Sequence, residues 1–179
     1  MAAAPVGYEI GTPRPHELEE LSRIEVEAAA IFPPEDLALD LREKGFPLSF
    51  FETASSAGRL WIARTVEPAM PVGFAVVILV DGLAHLREVD VLPAHGRRGI
   101  GRALVLHVAH WAHASGFPSL TLTTFRHLRW NAPFYASVGF AEITDRDLGP
   151  ELREVMAKEV ESGLDPSKRV AMRLDLRAA

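Results

Sequence analysis

Apolar and polar positions along this chain change period several times, and each change predicts a different element. Residues 8 to 11 read as a short first strand. In "TPRPHELEELSRIEVEAAAIF", Leu18, Leu21, Ile24, Ala28 and Ile31 fall on one stripe of a helix, which "FPPED" ends. A second helix over roughly 34 to 45 stops at Gly45. Strands follow at 59 to 66 and 72 to 80, with "EPAMP" turning the chain between them. Asp81-Gly82 is a strong hairpin signal, so the strand at 83 to 92 returns antiparallel and completes a three-stranded meander.

Beyond it, Ile100, Leu104, Val108 and Trp111 recur at spacings of four, four and three, which predicts an amphipathic helix with Trp111 in the core, closed by Ser115-Gly116. "SLTLTTF" (119 to 125) reads as a strand, Asn131 to about Ser137 as a short helix and "GFAEIT" as another strand. A polar helix near 148 to 161 and a strand at 169 to 176 end the pass. A crossover helix must link the strand at 83 to 92 with that at 119 to 125, so the fold class is an α/β (α+β) sandwich around a mixed sheet.

Composition narrows the picture. With 179 residues and no obvious linker, the chain is expected to form a single domain, 1–179. Twenty-four acidic against 19 basic residues argue against a nucleic-acid-binding surface. Cysteine is absent, which excludes disulfides, thiolate metal sites and a nucleophilic thiol. The N-terminus lacks a basic leader, and the longest apolar run, "VGFAVVILV", is too short to span a bilayer, so a cytoplasmic protein with no membrane partner is expected. His107, His110 and His113 sit three apart on one helix, and steps of three drift around the cylinder, so no metal site is expected.

Local chemistry concentrates in "HGRRGIGRAL", His95 to Leu104, between a strand and a helix. Free N–H groups of a first helical turn, glycines that admit a close ligand and three arginines suit a phosphate-bearing ligand. "GIGRAL" has Leu104 where a dinucleotide fingerprint needs a third glycine, and no lysine followed by Ser or Thr comes after the glycines as a nucleotide-triphosphate loop requires.

"VDVLPAHGRRGIGRAL", followed by "LTLTTF" and "WNAPFYASVGFAEI", resembles the acetyl-CoA-binding core of the GNAT superfamily of N-acetyltransferases, a likeness that covers about 83 to 145. The resemblance implies a mostly antiparallel central sheet with helices on both faces and strands splayed at an acyl-CoA cleft. It implies acetyl-CoA as co-substrate, its diphosphate on Gly96, Arg97, Arg98, Gly99, Ile100, Gly101 and Arg102. The pantetheine arm would run along the strand ending at Leu92, with a backbone N–H among Val89 to Val91 polarising the thioester carbonyl. Two positions depart from the family pattern: Gly96 stands where Arg or Gln is usual, and Leu128 where an asparagine is common. Asn131 is read as the cap of the next helix, with a CoA contact as its second role.

Tyr135 matches the family's tyrosine near the thioester sulfur, and its resting pKa near 10 suits a general acid. For the base, alternation along "REVDV" puts Leu86, Glu88 and Asp90 on one face; Glu88 is the first choice, with Asp90 or a water chain as alternatives. Glu17, Glu19, Glu20, Glu25 and Glu27 on the first helix read as a solvated face. The expected activity is N-acetyl (or short acyl) transfer to a primary amine by direct attack in a ternary complex. The alternatives are a non-catalytic acyl-CoA-binding sensor or assembly module and, less favoured, a nucleotide-binding protein. The acceptor, a small-molecule or peptide amine, is left open, as is a homodimer.

Overall fold

The computed structural model describes residues 4–177 of the chain. Seven strands form one open sheet in the order β1-β2-β3-β4-β5-β7-β6. They are β1 (Tyr8–Gly11), β2 (Leu60–Thr65), β3 (Pro71–Val80), β4 (Leu83–Val91), β5 (Ser119–Phe125), β6 (Ala141–Glu142) and β7 (Arg169–Asp175). The helices are α1 (Leu21–Ala29), α2 (Leu39–Arg42), α3 (Leu48–Ser56), α4 (Ile100–Ala114), α5 (Ala132–Val138) and α6 (Pro150–Glu161). The chain folds as two compact units, one running to Ile78 and including Arg87–His110, the other Leu79–Leu86 together with Trp111 onward.

In the first unit β1, β2 and β3 pair antiparallel, with Tyr8 opposite Thr65 and Ile62 opposite Phe74. The run "LWIA" is buried on both faces because helices cover both. On one face Ile62, Phe74 and Val76 meet Leu21 and Ile24 of α1 and Phe51 of α3. On the other, the Trp61 ring lies 5.8 Å from the His107 ring of α4. α3 is a helix the periodicity did not predict. Only α2 forms within the helix expected at 34 to 45, and the long first helix is a 3-10 turn (Pro15–Glu20) followed by α1.

Beneath the 3-10 turn, Glu17 and Arg64 are buried as a bidentate pair, Nε to Oε1 and Nη2 to Oε2 at 2.8 Å each. The Arg14 N–H also donates to Glu17, and Arg64 donates to Thr12 O and Glu9. Burial opposes ionisation of Glu17, but the hydrogen bonds and charge of Arg64 outweigh it and hold the carboxyl below its ordinary pKa.

In the second unit β4 runs parallel to β5, with registers Ala84↔Leu120 and His85↔Thr121, and β5 pairs antiparallel with β7 along its whole length. Asp81 and Gly82 have φ of 53° and 69°, the left-handed pair that a tight hairpin requires. The Asp81 carboxylate accepts the N–H groups of Glu151 (2.9 Å) and Leu152 (3.1 Å), so the hairpin turn caps α6. Glu151 reciprocates by accepting the Asp81 N–H. The expected strand at "GFAEIT" shrinks to Ala141–Glu142, and Trp111 is only half-buried.

Candidate active site

The end of β4 and the start of α4 bring together most of the residues singled out in the sequence. Leu92 continues β4, its N–H donating to Val72 O at 2.8 Å while its side chain packs on the α1–α3 core. β4 and β3 approach closely here because Gly73 has no side chain: a Cβ on it would lie 2.6 Å from Asp90 O. Pro93–His95 then make one 3-10 turn, and Gly96, Arg97, Arg98 and Gly99 are exposed.

Gly99 takes φ +83° and Arg97 φ +57°, so the loop bends twice through left-handed backbone before the helix begins. The first backbone bond of α4 runs from Ala103 N to Gly99 O at 3.0 Å. The N–H groups of Ile100 and Gly101 therefore precede the helical ladder and face the loop. Ile100 is buried, so it can offer a ligand only its backbone. Arg98 is not a loose surface cation: its Nη1 donates to the Tyr8 hydroxyl at 2.9 Å, and its Nη2 approaches Ala94 O at 3.4 Å.

The charged face of β4 differs from the wet surface expected of it. Leu92 enters the α1–α3 core, so alternation aims Glu88 and Asp90 toward α1, where Glu25 accepts the Phe46 N–H at 2.7 Å. Asp90 Oδ2 is buried without a hydrogen-bond partner. Burial, and then the charges of Glu88 and Glu25, push the Asp90 carboxyl well above its usual range. Glu25 is pushed up to about 7, chiefly by burial and also by Glu88, against the Phe46 N–H and Arg87. Arg87 itself stacks on the Phe46 ring, 5.0 Å from the centroid. Reading the acidic residues of the first helix as solvated was thus wrong for Glu17 and Glu25. Helical periodicity did not mark either, because their surroundings are built by distant segments.

The raised carboxyls fix the sign of a pH effect. Between pH 4.5 and about 7 Glu25 keeps its proton in the folded chain and loses it in the unfolded one, so stability falls as pH rises through that window. Asp90 acts in the same direction. Glu25→Gln should therefore match wild type at pH 5 and exceed it at pH 7.5 by about 1 kcal/mol, a figure discounted for partial exposure. Urea midpoints at the two pH values check this.

Asn131 and Tyr135 belong to the second unit. Asn131 precedes α5 but does not cap it: its Nδ2 donates to Thr124 Oγ1 at 2.7 Å, and its Oδ1 is buried without a partner. The capping role expected of its side chain is therefore corrected, and the orphaned oxygen can accept a ligand N–H. Tyr135 is half-buried, its ring packed edge-on to Phe134 and Phe140 at 5.0 and 5.6 Å. Among the described residues no cluster of His, Asp or Glu is arranged to hold a metal ion, and no helix is long and apolar enough to cross a membrane.

Residues 18–140 match the family model of the acetyltransferase (GNAT) family. The ribosomal-protein-S18-alanine N-acetyltransferase of Escherichia coli shares the fold with a TM-score of 0.66 at 21% identity, covering 96% of each chain. The PaiA N-acetyltransferase of Thermoplasma acidophilum, solved with coenzyme A, matches at 0.65 and 17% identity over 94% of this chain and 98% of that one. A GNAT-family acetyltransferase from Staphylococcus aureus matches at 0.69 and 19% over 95% and 99%.

Proposed function

The chain belongs to the acetyltransferase (GNAT) family, and from that membership we propose that it transfers an acetyl or other short acyl group from acetyl-CoA to a primary amine. The two compact units are taken as halves of one acetyltransferase domain. The observation that carries the reading is the loop Gly96–Arg102: exposed Gly96 and Gly99, the N–H groups of Ile100 and Gly101 ahead of the helical ladder of α4, and arginines at 97, 98 and 102. That donor set fits a diphosphate. The orphaned Asn131 Oδ1 fits an amide N–H such as those of the pantetheine arm.

When bound, acetyl-CoA supplies the acetyl thioester; the chain holds it, takes a proton from the amine and gives one at the sulfur. Gly96, Arg97, Arg98, Gly99, Ile100, Gly101 and Arg102 hold the diphosphate, and Val89, Val91 and Leu92 line the arm. A backbone N–H within Val89–Val91 donates to the acyl oxygen, an interaction typically worth roughly 3 to 4 kcal/mol of barrier. Glu88 accepts the ammonium proton, since an amine with its proton cannot attack. Glu25 and Asp90, whose proton affinity is raised first by burial and then by the charge of Glu88, are the carboxyls that interact with it electrostatically. Tyr135 donates its hydroxyl proton to the departing thiolate. The new C–N bond forms as the C–S bond breaks, and no acyl-enzyme arises.

Thiol release from acetyl-CoA across a panel of primary amines tests the reading. Release that depends on an amine, with equimolar acetylated amine by mass spectrometry, supports it. An acetylated protein formed without amine and competent for transfer contradicts the direct attack.

A further inference from the structure

Strand β1 lies outside every motif that points to acyl-CoA, yet its first residue is tied to the phosphate loop. The Tyr8 hydroxyl accepts from Arg98 Nη1 at 2.9 Å and lies 2.9 Å from His95 Nδ1. Arginine has no acceptor, so the Tyr8 hydroxyl accepts from Arg98 and still has capacity to bond His95. The Tyr8 hydroxyl thus joins Arg98 and His95, the two loop side chains that flank Gly96 and Arg97. The Tyr8 and His95 rings also meet edge-to-face at 5.8 Å. Pro5, three residues upstream, accepts the Tyr8 N–H at 3.0 Å, and its Cγ would be 3.7 Å from a Cβ on Gly99. Two points of the loop, at 95 and 98, are therefore braced by Tyr8, 87 or more residues away in sequence, and Pro5 lies beside Gly99.

A free arginine side chain loses rotamer freedom when it binds phosphate, and a loop with left-handed residues at 97 and 99 has alternative backbones to visit. Bonds from Nη1 to Tyr8 and from Nη2 to Ala94 O fix the plane of the guanidinium, whose five N–H groups leave others for a ligand. We propose that Tyr8 is a positioning residue for the co-substrate: its hydroxyl sets Arg98 and the Gly96–Arg102 loop in the conformation that receives the diphosphate. The proposal rests on the acyl-CoA reading of that loop. Tyr8 acts through Arg98 and touches no reacting atom.

Tyr8→Phe removes one oxygen and keeps the ring, so β1 and its packing should survive with Tm essentially unchanged. Loss of one preorganised charge-assisted contact should weaken acetyl-CoA binding about five- to tenfold, with kcat at saturating acetyl-CoA within about twofold of wild type. Arg98→Ala should show a similar loss, and Tyr8→Phe/Arg98→Ala should lose no more than Arg98→Ala alone, because both act through one guanidinium. Calorimetric titration of the four proteins with acetyl-CoA reads the affinities, thermal unfolding reads Tm, and steady-state thiol release with an amine reads kcat. Wild-type binding with an unchanged Tyr8→Phe affinity, or losses that add in the double variant, would overturn the role of Tyr8 and leave the acetyltransferase reading standing. A wild type that does not bind acetyl-CoA would remove both.

Discussion

Tyr135→Phe should lower kcat for amine acetylation about a hundredfold, the lower end of what a positioned proton donor contributes, while acetyl-CoA affinity stays within about twofold. A proton donor to sulfur needs an O–H, which phenylalanine lacks. The ring is already packed between Phe134 and Phe140, so the substitution deletes an oxygen without opening a cavity. A module that only sensed acyl-CoA would bind it equally well with either residue and show no turnover to lose. Steady-state kinetics paired with titration separates the cases: unchanged kcat would remove Tyr135 as the acid.

Arg64→Ala should cost about 3 to 5 kcal/mol of folding stability, the usual penalty for stranding one partner of a buried ion pair. Arg64 and Glu17 are 5% and 1% exposed, and every Glu17 contact described above depends on the guanidinium or the neighbouring backbone. Without Arg64 the carboxylate has lost its counter-charge in a site where burial already opposes its ionisation. Removing both charges, with Arg64→Met and Glu17→Leu, should recover most of the loss, because two buried apolar groups leave nothing unpaired. Denaturant unfolding of wild type and the two variants measures this; Arg64→Ala within about 1 kcal/mol of wild type would show that the pair is not what the geometry implies.

Local signals were read well where local physics decides. The Asp81-Gly82 hairpin, the α4 stripe and the strand–loop–helix order around Gly99 depend on residues within one or two turns of each other. The same is true of Ile100, whose place in the stripe foretold its burial. What failed was set by distant segments. α3 owes its place to Phe51 and Ala54 packing on Leu60, Ile62 and Phe74. Glu17 looked like its solvated neighbours until Arg64, 47 residues on, came to meet it. Glu25 is set apart by Phe46 and by β4, and Tyr8 by a loop at the far end of β4. Asn131 stands at a helix start and still turns its amide to Thr124 of β5, a partner that only the fold brings near.

The central claim is that the loop from Gly96 to Arg102 receives acyl-CoA. Isothermal titration of the purified protein with acetyl-CoA, run beside ATP and NAD, tests it most directly. The account predicts micromolar, stoichiometric binding of acetyl-CoA that neither nucleotide displaces. Absence of that binding, or equal affinity for ATP or NAD, would contradict it.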